Sequence, residues 1–247
     1  YLVFTVIWIT IVYAPVAHWV WGGGWIGADG AGALDFAGGT VIHINAGAAA
    51  VAAALLVGRR KLPGLQPNNV PYIVLGASIL WFGWFGFNGG SALASDDYAV
   101  NAMLVTQIAA GTAATTWGIL SMISSGKISA VGTATGAVAG LVAITPAAGA
   151  VNPIGALAIG FGAGLICYYA VELIHKTRLD DALDVFAVHG VGGLWGCIAT
   201  GIFAIESIAG VKGVVQGEFD QVWIQIYTAL GTLAYSFVLT YGILYIL

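Results

Sequence analysis

The sequence predicts an all-α fold, a bundle of helices that crosses a lipid bilayer several times. Hydrophobic residues make up 60% of the 247 positions and charged residues only 7%, and the mean hydropathy is +0.94. A soluble domain carries about 25% charged residues, because its surface must face water. So few charges exclude a soluble protein. The alternating strand patterns of a membrane β-barrel are absent from the sequence.

The hydrophobic residues fall into eight runs, each of a length suited to a membrane-crossing helix. Such a helix needs about 20 mostly apolar residues, and short polar or Gly/Pro-containing segments separate the runs. No signal peptide is expected, because the first run has no basic flank and no cleavage-type site. The runs lie near residues 1–21, 36–57, 70–92, 100–124, 128–147, 153–174, 185–205 and 222–247.

The basic residues indicate how the runs are oriented. If every run crosses the membrane, the loops at 58–69, 125–127 and 175–184 share one face, and they contain six of the seven Lys and Arg residues. Loops rich in Lys and Arg are usually cytoplasmic. This face is therefore predicted to be cytoplasmic, and the opposite, mainly acidic face is predicted to be the outer one.

The whole chain, residues 1–247, is predicted to be a single membrane domain without a linker or soluble module. Cys167 and Cys197 lie inside hydrophobic runs and are expected to pack as small hydrophobic residues rather than form a disulfide framework. Some glycines recur every four residues and are expected to let helices approach closely in lipid. These glycines are Gly132, Gly136, Gly140, Gly160 and Gly164.

Two histidines are the candidate functional residues inside the membrane, His43 in the second run and His189 in the seventh. Ionisable groups at membrane depth are costly and indicate function by default, although each could also be a hydrogen-bonded core residue. Two imidazoles side by side could shuttle a proton or hydrogen-bond a small polar solute. A metal site is the rival interpretation, but two histidines without Cys or a well-placed carboxylate make a poor one. No metal and no cofactor are expected.

Aromatic residues accompany these histidines. The i, i+3, i+7 spacing of Trp84, Phe87 and Ser91 puts them on one helix face. Such a face is typical either of core packing or of the lining of a conduction pathway. Trp21, at the outer end of the first run, could attract a partly dehydrated cation or anchor the chain at the membrane interface.

An acidic residue precedes each histidine. Asp35 comes eight positions before His43, and Asp184 comes five before His189. Both carboxylates are expected to cap the helix that follows, and a fixed negative charge near the path is compatible with capping. Because the two segments enter from opposite faces, they have the form of an inverted repeat with a shared site near the bilayer midplane.

The sequence resembles the ammonium transporter (Amt/Mep/Rh) family, and its Amt branch in particular. The segments that carry the resemblance are Tyr13-APVAHWVWGGG, Asp35-FAGGTVIHINAG, Trp81-FGWFGFNGGS and Asp180-DALDVFAVHGVGG. The resemblance implies an ammonium/ammonia channel or transporter, not an enzyme, which captures ammonium at the outer face and conducts ammonia past twin histidines. It also implies the plasma membrane as location and a homotrimer in the lipid bilayer. No nucleic-acid partner is expected.

The resemblance also assigns residues. The pore residues that it implies are His43, His189, Trp84 and Phe87. The ammonium-binding residues that it implies are Trp21, Ser91 and Asp35. The family has eleven helices in an inverted repeat, and the eight runs correspond to the fourth through the eleventh, so three helices and a C-terminal tail are expected to be missing from the chain.

Two other functions stay open. The first is an ammonium sensor that signals to a cytoplasmic partner, for which a PII-type regulatory protein at the cytoplasmic face is the candidate. The second is a redox or metal-binding membrane protein with the two histidines as ligands.

Overall fold

A computed structural model describes residues 1–61 and 67–247, so residues 62–66 of the predicted loop at 58–69 lie outside the described residues. The described residues are mainly helical and contain no strand, which confirms the predicted all-α class. Short turns at Glu206–Ala209 and Val214–Gln216 precede the last long helix. The long helices, α1 to α8, are Leu2–Trp21, Gly39–Val57, Val70–Gly90, Asp97–Ser125, Ala130–Ile144, Pro153–His175, Phe186–Phe203 and Asp220–Ile246.

Seven of these helices are long and apolar enough to cross a bilayer, and α5 is the exception among the described residues. Its 15 residues extend about 22 Å, which is less than the roughly 30 Å hydrocarbon core. The run predicted at 128–147 ends early as a helix because Pro146 has no N–H to continue it. Residues 145–148 are buried turns, and irregular backbone is tolerated at membrane depth where protein covers it.

Polar side chains in the short breaks determine where helices begin. The side-chain oxygens of Asn69, Asp96, Ser129 and Asn152 each accept the main-chain N–H three residues later, at 3.0–3.1 Å. Such caps satisfy N–H groups that have no partner within the helix. At the other end of α4, Gly126 has a φ of +72°, a left-handed conformation that glycine adopts without steric cost. The same polar breaks separate the hydrophobic runs, so the predicted spans and the observed helices agree closely.

The packing of α4 against α5 and α6 depends on small residues. Several glycines of α5 and α6 lie so close to α4 that an added Cβ would overlap it. These are Gly132, Gly136, Gly140, Gly160 and Gly164. The prediction that they form packing surfaces is confirmed. Close approach of this kind holds helices together in lipid, where hydrophobic burial contributes little.

Contacts between loops show which helix ends share a face. Arg60 Nη2 lies 2.7 Å from Asp180 Oδ1, which joins the loop after α2 to the loop after α6. A cavity of about 1030 Å³ is lined by Arg59, Ser125 and Asp181, one residue from each predicted cytoplasmic loop. The three loops therefore share a face, as the sequence predicts. Because α2 ends at this face and α7 begins there, the two helices run in opposite directions.

The helix α8 is held to the bundle by a stripe of polar side chains. Gln225 donates to the carbonyl of Leu34 at 2.7 Å, and Ser236 donates to the carbonyl of Asn45 at 2.9 Å. The hydrophobic-run pattern does not reveal this stripe, because single Gln, Thr and Ser residues do not interrupt an apolar run. The stripe consists of Gln221, Gln225, Thr228, Thr232, Ser236 and Thr240, all of them buried.

Candidate functional site

His43 and His189 meet inside the bundle although 146 positions separate them in the chain. The Nδ1 atoms of the two rings lie 3.1 Å apart, which is a hydrogen-bond distance, so one Nδ1 donates and the other accepts. Each histidine lies in a π-turn at the start of its helix, Gly39–Ile44 in α2 and Phe186–Val191 in α7. Turns of this type are rare and occur frequently at functional sites.

A close crossing of α2 and α7 brings the two rings together. Gly47 packs directly on Gly190, and a Cβ at position 47 would overlap its main chain. Gly193 packs on His43, where an added Cβ would lie 3.2 Å from the Cβ of the histidine. The spacing His-x-x-x-Gly occurs in both helices, at 43–47 and 189–193, so the crossing uses the same short pattern twice.

The aromatic residues of α3 form a wall beside His43. The imidazole stacks on Trp84, with ring centroids 5.4 Å apart and planes inclined by 18°. Phe87 lies 6.1 Å from His43 and 5.3 Å from Trp84 between ring centroids. Trp84 Nε1 donates to Thr145 Oγ1 at 3.0 Å, which fixes the indole. The predicted shared face of Trp84 and Phe87 is therefore turned toward the histidine pair.

An open groove of about 440 Å³ passes both histidines. Apart from the imidazoles its walls are apolar or aromatic, with Ile42, Leu80 and Val185 beside the α3 rings. The Nε2 of His43 is buried and has no hydrogen-bond partner among the described residues. Because the Nδ1 atoms bind each other, one Nε2 of a neutral pair carries a proton and the other carries a lone pair. The pair can thus offer one donor and one acceptor to a small polar solute.

The residues expected at the outer face are anchored individually. The Nε1 of Trp21 donates to the main-chain carbonyl of Asp35 at 2.8 Å, and the residue is 48% exposed. Ser91 Oγ donates to the carbonyl of Phe87 at 2.8 Å, at the end of α3. Among the described residues, no hydrogen bond or ring contact joins Trp21 to Ser91.

Both oxygens of the Asp35 carboxylate are hydrogen-bonded to main-chain N–H groups. Oδ1 accepts the N–H groups of Gly38 and Gly39, and Oδ2 accepts those of Thr40 and Val41, at 2.5–3.2 Å. Burial raises the pKa of this carboxyl, and the four N–H groups act in the opposite direction. The capping interpretation is confirmed. Since each oxygen already accepts two hydrogen bonds, this carboxylate holds the start of the turn that contains His43. It has no free lone pair for a cation, so it does not fit the direct ammonium-binding role that the resemblance implies.

Asp181 is a supporting residue that the sequence reasoning missed. Its Oδ2 accepts the N–H of Phe186, the first residue of α7, at 2.7 Å. It precedes His189 by eight positions, the same spacing as between Asp35 and His43. This equal spacing is the signal that could have identified it.

The predicted capping by the Asp184 carboxylate is wrong. Its Oδ1 lies 2.7 Å from His175 Nε2, so the side chain faces the end of α6 instead of the start of α7. Asp184 has a φ of +54°, a conformation that Asp tolerates better than most residues. This turn directs the side chain away from the N–H groups of α7. Burial raises the pKa of the Asp184 carboxyl, and His175 opposes that shift.

The described residues contain no group of three His, Cys, Asp or Glu side chains that converge as metal ligands. Both cysteines are buried and free, as the sequence predicts. Cys197 Sγ lies 3.3 Å from Thr40 Oγ1, next to the turn that Asp35 caps.

Comparison with protein families gives a match over the entire chain. The family model described as Ammonium Transporter Family matches residues 1–247. An ammonium transporter of Aquifex aeolicus is 52% identical over 248 aligned residues, which cover 100% of this chain and 58% of the relative. Ammonium transporter Amt1 of Archaeoglobus fulgidus is 46% identical, over 97% of this chain and 61% of that protein. The chain therefore spans about three fifths of these relatives.

Comparison with solved structures also gives matches over nearly the whole chain. The crystal structure of Candida albicans Mep2 matches with a TM-score of 0.91 at 41% identity, covering 98% of this chain and 56% of that chain. A structure described as Sensor Amt Protein matches with a TM-score of 0.90 at 35% identity, covering 98% of this chain and 63% of that chain.

Proposed function

Because the chain belongs to the ammonium transporter family, we propose that it forms part of a plasma-membrane pore that conducts ammonium or ammonia past His43 and His189. The contact between the two Nδ1 atoms carries the proposal. It places two ionisable side chains together beside an otherwise apolar groove. Polar groups at membrane depth are costly, so their pairing in a groove favours a polar solute as the cargo.

Capture begins at the outer face in this proposal. Trp21 and Ser91 offer an aromatic face and a hydroxyl to an ammonium ion that gives up part of its water shell. Asp35 holds the Trp21 ring through its main-chain carbonyl. The ion then passes the Phe87 ring to reach the histidines.

At the histidines the cargo travels as ammonia. A neutral imidazole pair offers ammonia one donor and one acceptor, whereas an apolar groove disfavours an ion. Ammonium can meet this condition by passing a proton to the Nε2 lone pair of the histidine pair, which leaves neutral ammonia, and potassium has no proton to pass. Selection against potassium follows from this difference in chemistry, without a size filter.

The complete protein is proposed to be a homotrimer in the lipid bilayer and not an enzyme. Residues 1–247 are proposed to be one membrane domain, equivalent to the fourth through eleventh helices of the family. The face that carries the three basic loops is proposed to be cytoplasmic, in keeping with the positive-inside rule.

Uptake of methylammonium by the complete protein in reconstituted vesicles tests the proposal. We expect His43→Ala and His189→Ala to change the flux or its selectivity over potassium. His18→Ala is a matched control, because this histidine lies in α1 but does not line the groove. Unchanged flux and selectivity in both pore variants would remove the histidines from the mechanism.

An ammonium sensor is the second candidate function. The similarity to the structure described as Sensor Amt Protein favours it. In this case the same site binds ammonium and a cytoplasmic partner reads the state of the pore, with a PII-type protein at the basic face as one possibility. Little or no flux in vesicles, combined with ammonium-dependent partner binding, would favour the sensor over the transporter.

A further inference from the structure

Two buried polar atoms on facing helices lack a hydrogen-bond partner among the described residues. They are Asn45 Oδ1 on α2 and Thr232 Oγ1 on α8. Both residues are fully buried, with 0% of their surface exposed. Buried polar atoms in proteins are paired with protein groups or with ordered water in the great majority of cases. Two such atoms on helices in contact are therefore candidates for a shared partner.

The alignment of the two helices brings the two residues within about one turn of each other. Gln225 bonds to Leu34, and Ser236 bonds to Asn45, and both pairs are separated by 191 positions. Because these bonds follow the same order along both stretches of chain, α8 runs parallel to α2 and its preceding segment. Thr232 precedes Ser236 by one turn of α8, and Val41 precedes Asn45 by one turn of α2, so the parallel helices put Thr232 near the level of Val41.

The amide of Asn45 points to that level as well. Its Nδ2 donates to the carbonyl of Val41 at 3.1 Å, one turn before Asn45 in α2. This bond fixes which end of the amide is the oxygen, and it leaves Oδ1 able to accept from a donor outside its own helix. Val41 belongs to the π-turn Gly39–Ile44 that contains His43. The amide therefore supports the turn that holds the histidine.

We propose that one internal water molecule binds between Asn45 Oδ1 and Thr232 Oγ1, and that this bridge positions His43. The water donates one hydrogen to Oδ1 and accepts the hydroxyl hydrogen of Thr232, which supplies the two polar partners that a buried water needs at minimum. With Ser236 on the carbonyl of Asn45, α8 then holds this residue at two points. Its amide in turn holds the π-turn of His43. The positioning role rests on the proposed function, but the water site does not.

A structure of the complete protein at a resolution that shows ordered water tests the site itself. We expect a density peak within hydrogen-bond distance of both Asn45 Oδ1 and Thr232 Oγ1, and its loss in the Thr232→Val variant. A direct bond between the two side chains, or no density between them, would overturn the water site. This measurement does not depend on whether the protein transports ammonium.

Three variants test the positioning role. Thr232→Val removes the hydroxyl and keeps the shape, Thr232→Ser keeps the hydroxyl, and Thr228→Val is the matched control. The hydroxyl of Thr228 donates to the carbonyl of Ile224 in its own helix, at 2.6 Å. We expect Thr232→Val to lower the melting midpoint by about 3 °C or more and to reduce methylammonium flux. We expect Thr232→Ser and Thr228→Val to stay close to wild type.

The ring nitrogens of His43 provide a readout that a purely structural role would leave unchanged. We expect the ¹⁵N chemical shifts of the labelled imidazole to change in Thr232→Val and to return in Thr232→Ser. Unchanged shifts in a destabilised Thr232→Val protein would overturn the positioning role. If wild-type protein shows no flux, the proposed function fails, while the shifts and the density still decide the bridge.

Discussion

Each imidazole of the pair uses Nδ1 for its partner, so Nε2 is the ring nitrogen that remains to bind a solute. Trp84 stacks on one of the rings, and the indole is itself tied to Thr145. The orientation of His43 is thus fixed from two sides. A side chain fixed in this way loses little further freedom when a solute binds. The residues around the pair can be divided into those that meet the solute and those that build the site.

Trp21 belongs to the first group in our proposal, and Trp21→Leu tests it. We expect the half-saturating methylammonium concentration to rise by roughly 2- to 30-fold, the range that about 0.5–2 kcal/mol of cation–π energy gives. The flux at saturating concentration should change less. Trp223→Leu on α8 is a matched control, because that ring is 67% exposed. An unchanged half-saturating concentration in Trp21→Leu would make Trp21 an interface anchor.

Asp35 belongs to the second group, and Asp35→Asn separates support from charge. Asparagine offers one acceptor oxygen where the carboxylate offers two, so main-chain N–H groups of the turn lose their partner. We expect a loss of at least about 2 kcal/mol of unfolding free energy, seen as a fall of about 4 °C or more in the melting midpoint. Asp181→Asn is the matched variant, because one oxygen suffices for the single N–H bonded there. Equal melting midpoints for the two variants would contradict the capping account.

At the scale of elements, the crossing of α2 and α7 determines whether the histidines meet. Gly47→Ala places a methyl group against the main chain of Gly190, which must push the helices apart. We expect a loss of about 1–3 kcal/mol of stability from this overpacking and a marked loss of flux.

Gly76→Ala provides the control for the crossing. This glycine lies in α3, and an added Cβ there would meet no atom within 4 Å. Alanine favours helix over glycine by about 1 kcal/mol, so we expect the stability of this variant to stay the same or rise. Normal flux in Gly47→Ala would show that the close crossing is not needed for the pair.

A second link between elements is the Arg60–Asp180 ion pair, which joins the loops after α2 and α6. The hydrogen bonds from Arg60 hold the pKa of the Asp180 carboxyl below its ordinary value. The unfolded chain therefore takes up this proton at a higher pH than the folded protein does. The pair stabilises the folded state above about pH 4, and the contribution is lost as the pH falls through the lowered pKa.

Melting midpoints of wild type and Arg60→Gln in detergent, measured between about pH 3 and pH 7, test this link. We expect wild type to be more stable at neutral pH and the difference to shrink in acid. The comparison between variants is needed because burial raises the pKa of Asp184, which gives wild type an opposite slope. Arg60 also lowers the pKa of Asp184, so the difference between the two proteins reports what Arg60 contributes at both carboxyls. A difference that stays constant across this range would rule out the ion pair as its source.

At the scale of the whole molecule, much of the bundle is predictable from the sequence, because lipid imposes one strong rule. Backbone N–H groups at membrane depth must bond within a helix or to other protein groups, so run length and polar breaks determine the helices. The rule fails for α5, where Pro146 ends the helix early and the neighbouring helices cover the turns that follow. Neighbouring protein shields the polar backbone of these turns from lipid, which a full-length helix would otherwise do by its own hydrogen bonds. This shielding is visible only in the tertiary packing.

The candidate site is predictable in part for a similar reason. His43 and His189 stand out because ionisable residues are rare at membrane depth. That their Nδ1 atoms face each other depends on the Gly47–Gly190 crossing, which is a tertiary contact. The capping role of Asp181 was missed because a carboxylate closer to the histidine, Asp184, looked sufficient, and only the chain turn at that residue excludes it.

The antiparallel arrangement of α2 and α7 gives the molecule its central property, a histidine pair contributed by helices that enter from opposite faces. A double-mutant cycle on methylammonium flux in reconstituted vesicles tests most directly whether this pair acts as a unit. It compares wild type, His43→Ala, His189→Ala and the double variant. We expect the double variant to be little worse than the more damaged single variant, because removing either ring already breaks the pair. Effects that simply multiply would contradict the account, since they would show two histidines that act independently.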